Sequence, residues 1–287
     1  MSATSGVAGR HRGPVALAVT SGKGGVGKTN VVVNLAVALA RLRNRVAILD
    51  ADFGLGNVDV LLGLAPPSHL GHLLTGQKPI DEIVIRGPQG VRVIPAGSGL
   101  RELTALTPAH WQRLNTGLAE LAVDLDFLLV DTGAGISSNV TELLFGSDRV
   151  LLVTSLDPTA VVDAYALIKI LTTNNPEKEI GVVINGAESP GEAELVFGQL
   201  DVAASRFLRR RLQSYGFIVQ DPVLREAVLM QRAVVEHAPD APASRCFRTL
   251  ATRISSLAPL GGPGLRLVPR ERPAPVPLTE MEAPQCA

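Results

Sequence analysis

Ser21-Gly22-Lys23-Gly24-Gly25-Val26-Gly27-Lys28-Thr29 stands between an apolar β-branched run, residues 15–20, and a long apolar stretch, residues 29–42. It fits the pattern G-x-x-x-x-G-K-[ST] with a strand before it and a helix behind it, the context the pattern requires. Glycines at 24, 25 and 27 let backbone N–H groups, Val26 included, converge on an anion, and the helix N-terminus adds partial positive charge. The spacing assigns Lys28 to the β- and γ-phosphates of a nucleotide and the Thr29 hydroxyl to Mg²⁺. A glycine-rich turn without a ligand is the plain alternative, and the second acid-tipped strand downstream argues against it.

That strand is Phe127-Leu128-Leu129-Val130-Asp131, apolar until its terminal carboxylate. An acid there suits a Mg²⁺ ligand, and the following Gly133-Ala134-Gly135 suits a loop that senses the γ-phosphate. Residues 46–50 end in acids too, at Asp50 and Asp52. A carboxylate at Asp52 can orient an attacking water and contribute to the metal site. For Asp50 a turn-forming role after a strand is an equally good reading.

Outward from the loop, strand-like runs at 15–20, 45–50, 127–131, 149–154 and 180–185 alternate with helix-like segments at 29–42, 108–123, 140–145, 160–172 and 192–215. Such alternation predicts an α/β fold, a doubly wound, mostly parallel sheet with helices on both faces. Residues 80–86 and 91–95 read as an added hairpin or edge pair, and helices over 222–232 and 243–257 close the fold. The expected organisation is a flexible N-terminus at 1–13, one nucleotide-binding domain at 14–258, and a proline-rich disordered tail at 259–287.

Composition narrows the function classes. The 287 residues carry 27 basic and 27 acidic side chains, and aromatics are 3%. A balanced charge and few aromatics argue against bulk nucleic-acid binding. Only five basic residues are lysines, and two of them, Lys23 and Lys28, share the glycine-rich loop. Lys23 is superfluous for cradling phosphate within one chain; its physical use is to reach the phosphates of a facing subunit, as an arginine finger does. Cys246 and Cys286 form no metal-ligand spacing, and no apolar run reaches the ~18 residues that span a bilayer. These features, with a mean hydropathy of +0.25, predict a cytoplasmic protein whose sheet is covered on both faces.

SGKGGVGKT, with its early lysine, resembles the deviant Walker A motif of the MinD/ParA ATPases, and within them the FlhG (FleN, YlxH) flagellar-number regulators. Supporting stretches are Lys28-Thr29-Asn30, DADFGLGNVDVLLGL (50–64), VRVIPAGSGLREL (91–103), LLVDTGAGIS (128–137), DPTAVVDAYALIK (157–169) and PDAPASRCFRTLA (239–251). The resemblance covers residues 15–257. It implies a slow Mg²⁺-dependent ATPase that dimerises around two ATP molecules. Lys23 becomes the trans-acting lysine, Lys28, Thr29 and Asn30 members of the nucleotide site, Asp52 the switch I acid and Asp131 the Walker B acid. Asn185, ending the strand GVVIN, becomes the adenine-reading amide, which offers a donor and an acceptor. Asn57 and Asp163 lie in family motifs.

The implied partners are a second copy of the chain, an FlhF-like GTPase, flagellar switch proteins or a transcription regulator. Residues 1–13 contain nothing like the DQAxxLR segment that such regulators direct at FlhF. The last helix carries Phe247, Leu250, Ile254 and Leu257 on one stripe, which suits core packing at least as well as a place on the cytoplasmic membrane face. Rival readings are a MinD-type division-site regulator and a ParA-type segregation ATPase acting on DNA or cargo, for which Arg209-Arg210-Arg211 would be a local patch. An iron–sulfur carrier needs clustered thiolates that Cys246 and Cys286 do not supply.

Overall fold

The computed structural model describes residues 13–97 and 106–257. Eight strands form one sheet: β1 (Val15–Thr20), β2 (Val46–Ala51), β3 (Ile85–Arg86), β4 (Arg92–Ile94), β5 (Phe127–Thr132), β6 (Arg149–Thr154), β7 (Glu179–Ala187) and β8 (Gln213–Val219). Their order is β3-β4-β2-β5-β1-β6-β7-β8. Every pairing is parallel except β3 with β4. Ten helices accompany them among the described residues: α1 (Lys28–Arg41), α2 (Val58–Leu61), α3 (Leu70–Leu74), α4 (Pro108–Ala122), α5 (Ser138–Gly146), α6 (Pro158–Asn174), α7 (Pro190–Leu208), α8 (Pro222–Leu229), α9 (Val234–His237) and α10 (Pro242–Ser255). The doubly wound reading holds.

Alternation along the central strands sorts their side chains between two cores. Val15, Leu17 and Val19 face α1, α9 and α10, while Ala16 and Ala18 face α4 to α7. All six residues of β1, β2, β5 and β6 are buried, as a sheet covered on both faces demands. The same pleat carries Asp50 and Asp131 to the α1 side, and Thr20, Thr132 and Thr154 to the other. The chain leaves β1 toward β2 on one side and reaches β6 from β5 on the other. The C-terminal ends of β1, β2 and β5 thus meet at the topological switch point, where ligands of open α/β sheets bind.

Two sequence expectations need correction. The helix expected over 192–215 stops at Leu208, where Arg209 turns left-handed at φ 51°. Residues 213–219 instead form β8, parallel to β7, with a register shift beside Gly216. An edge strand broken by a glycine hides its period-2 pattern. In the expected hairpin over 80–86 and 91–95, only two residues, Ile85 and Arg86, pair antiparallel with β4; Ile80–Glu82 is a 3₁₀ turn. The expected N-terminal segment, apart from residue 13, and the expected proline-rich tail at 259–287 lie outside the described residues.

The apolar stripe of α10 is consumed by the core. Phe247, Ala251 and Ile254 are fully buried against α1 and β8. Asp221 fastens this helix: its Oδ1 accepts from Val223 N at 2.9 Å and its Oδ2 from Ala243 N at 3.0 Å, joining the first turns of α8 and α10. Among the described residues no helix is long and apolar enough to cross a membrane. Phe247→Ala is expected to destabilise the fold by about 3–5 kcal/mol, read as a lower urea midpoint; a midpoint like that of the parent would mean α10 is not a core helix.

Candidate functional site

The loop and the start of α1 are built to receive an anion. Gly27 caps α1 with φ 86°, and a Cβ there would stand 2.3 Å from the Asn185 amide, so only glycine fits. Helices α6, α7 and α8 begin with Asp157, Ser189 and Asp221, whose side chains accept from the first-turn N–H groups. α1 has no side-chain cap and no acidic residue in its first turn. Its N–H groups and dipole are left facing outward, at the mouth of a cavity of about 1140 Å³ lined by Gly24, Gly25, Gly27, Lys28, Thr29, Asn30 and Asp52.

Lys28 lies at the buried edge of that cavity. Its Nζ donates to Asp131 Oδ1 at 2.5 Å and to Thr29 Oγ1 at 3.4 Å. Lys28 is 8% exposed and Asp131 1%. Asp131 Oδ2 is buried without a hydrogen-bond partner. An orphan carboxylate oxygen beside a threonine hydroxyl is a hard-oxygen donor set that fits Mg²⁺. Burial pushes the Asp131 carboxyl above its ordinary range, against the pull of Lys28.

Asp50 faces Asp131 across the ladder between β2 and β5. Burial first, and the Asp131 charge second, push its carboxyl up to about 7. Asp52 lies at the cavity wall on the loop that follows, its Oδ1 accepting from Gly54 N at 3.3 Å and Leu55 N at 3.1 Å. Beside it, Gly133 and Ala134 continue the wall, a Cβ on Gly133 standing 3.8 Å from Asp52 Oδ1, and Gly135 N donates to Ser21 O at 2.9 Å, joining the loop after β5 to the phosphate loop.

Two expected site residues have partners that the sequence did not suggest. Lys23 donates to Asp157 Oδ2 at 2.7 Å and to Thr159 Oγ1 at 2.5 Å, at the start of α6. The Lys23 bond first, and then hydrogen bonds from the Thr159 hydroxyl and N–H, hold the Asp157 carboxyl well below the usual carboxylate range. Asn185 lies behind the loop, off the cavity, and donates its Nδ2 to Val26 O at 2.8 Å. Its donor therefore braces the loop. Asn57 turns its amide to Leu55 O at 2.6 Å. Asp163 contributes backbone, packed so closely on Gly22 that a Cβ there would lie 2.3 Å from its carbonyl carbon. Asp157 is the site residue that sequence reasoning missed; its signal was the helix-starting Asp-Pro pair within a stretch already singled out.

Known proteins resemble this chain over most of its length. The ParA family profile, described as NUBPL iron-transfer P-loop NTPase, matches residues 14–255. The antiactivator FleN of Pseudomonas aeruginosa is 44% identical over 240 residues, covering 84% of this chain and 86% of that protein. The flagellum site-determining protein YlxH of Helicobacter pylori is 35% identical over 227 residues, covering 78% and 76%. The cell division ATPase MinD of Pyrococcus furiosus superposes with a TM-score of 0.71 at 25% identity, over 85% of this chain and 99% of that one.

The raised Asp50 carboxyl has a signed consequence. Between pH 4 and pH 7 the folded protein holds a proton there that the unfolded chain has released, so stability falls as pH rises through that window. Urea midpoints of the nucleotide-free protein across pH 4–8 should fall accordingly, and Asp50→Asn should flatten that part of the curve. An unchanged slope in Asp50→Asn would assign the dependence elsewhere.

Proposed function

The chain is a member of the ParA family of P-loop NTPases, and we propose that it is an ATP-driven dimerisation switch controlling flagellar number or placement. The observation that carries the reading is the buried Lys28–Asp131 pair beneath an uncapped helix N-terminus, in a chain resembling FleN and YlxH over most of its length.

On this reading each residue has a distinct task. Lys28, the loop N–H groups and Asn30 bind the phosphates, the β- and γ-oxygens drawing Lys28 Nζ from Asp131. Thr29, the freed Asp131 and Asp52 would hold Mg²⁺, which would supply charge neutralisation for the phosphates. Asn185 presents its Oδ1 to the exocyclic amine of adenine. Asp52 orients a water in line with the γ-phosphorus. The water oxygen bonds to phosphorus as the bond to the β–γ bridging oxygen breaks, giving ADP and inorganic phosphate. Lys23 sits 40% exposed in an ion pair at the surface, a contact easily exchanged. In the dimer it leaves Asp157 and Thr159 for the phosphates bound by the second subunit, so turnover waits on pairing.

The output is partner binding. An FlhF-like GTPase, flagellar switch proteins or a transcription regulator are the partners this reading names, the last favoured by the likeness to an antiactivator. Burial of the α10 stripe supports a cytoplasmic protein, with any peripheral membrane contact made by other segments. The 44% identity to FleN favours the flagellar role over a MinD-type division-site or ParA-type segregation role.

Light scattering with ATP, with ADP and without nucleotide, repeated with liposomes, tests the switch. The parent should dimerise with ATP alone. Asp52→Ala should bind ATP, hydrolyse it poorly and accumulate as dimer, and Lys23→Ala should bind ATP and stay monomeric. An Asp52→Ala protein that is monomeric with parental turnover would sink the assignment.

A further inference from the structure

Residues 52–58 run from the end of β2 to the first residue of α2 and carry Asp52. The carboxylate of Asp52 bonds within this loop, to Gly54 and Leu55. Hydrogen bonds tie the loop to the sheet through Asp50, which is 1% exposed. Its Oδ1 accepts from Asp52 N at 3.2 Å and its Oδ2 from Val58 N at 3.1 Å, so both ends of the loop hang on one side chain. Midway, Gly56 is pressed against the same carboxylate: a Cβ there would lie 2.8 Å from Asp50 Oδ2 and 2.4 Å from Ala96 Cβ. Asp50 below and Ala96 beside it seat this middle part of the loop, while the Phe53 ring is buried in the core with Leu49 and Val140.

We propose that Asp50 is a positioning residue for hydrolysis, which touches neither nucleotide nor water and fixes where Asp52 stands relative to the phosphate loop. The proposal rests on the reading of Asp52 as the group that orients the attacking water. Asp50 is outside the residues lining the cavity, whereas Asp52 is among them. The loop N–H groups that bind phosphate belong to residues 24–29, which Asp50 does not hold. Its loss is therefore expected to lower turnover and spare ATP affinity. A displacement of about 1 Å in a reacting group can lower a rate by ~100-fold.

Two variants test this in the full chain. Asp50→Asn keeps the shape but one of the two acceptors becomes an amide nitrogen, so one end of the loop is released. Gly56→Ala forces the loop off its seat and changes no ionisable group. Both should lower kcat by about tenfold or more, with the Kd for a fluorescent ATP analogue within threefold of the parent. Amide hydrogen exchange at Asp52 and Val58 should quicken, with the amides of β5 unchanged. Parental turnover in both variants, beside an inactive Asp52→Ala, would overturn the positioning role alone. Loss of ATP affinity in step with turnover would overturn it too, because Asp50 would then be serving the nucleotide. Parental turnover in Asp52→Ala would instead remove the reading of Asp52 and this proposal with it.

Discussion

The contact between Lys28 Nζ and Asp131 Oδ1 joins the start of α1 to the end of β5 across the floor of the cavity. Taking two ionised groups from water into a protein interior is expensive, and their attraction offsets that only with close geometry and further hydrogen bonds. Here the geometry is close, but the second oxygen of Asp131 goes unpartnered. Such a pair is a poor way to stabilise a fold and a good way to keep a cation and a carboxylate dry and ready for other partners. The uncapped helix, the left-handed Gly27 and the apolar strands on either side all serve to hold these two groups in place.

Much of this was legible in the sequence because it depends on neighbours along the chain. The glycine-rich loop, the lysine and threonine after it and the strand that ends in Asp131 are local patterns. The family likeness extends them to Asp52 and Asn185. What escaped reading depends on distant parts meeting in space. Nothing local says that Lys23 rests on Asp157, 134 positions away, or that the donor of Asn185 belongs to Val26. Strand β8 escaped for a different reason: Gly216 interrupts it at a register shift, and three arginines before it read as a continuing helix.

Asp50 was the ambiguous acid, as good a turn former as a site residue. The structure gives it a place between those roles. It does form the turn, since two backbone N–H groups of the turn end on it, and the turn it forms carries Asp52. Local chemistry at a strand end and chemistry at the site are here the same hydrogen bonds.

The pleat of the central strands has a last consequence. Carboxylates Asp50 and Asp131 lie on the face of α1, and their successors in the strands, Ala51 and Thr132, lie on the opposite face. Because successive side chains alternate, a slip of one position turns an entire strand over. Deleting a residue within β2 or β5 would bring Ala51 or Thr132 to the place of the acid at the cavity floor, and inserting one would bring Leu49 or Val130 there. The surface connections between helices have no such parity. Evolution of this chain is thus free to lengthen or shorten the surface connections between helices, and confined to point substitution in the strands that feed the nucleotide.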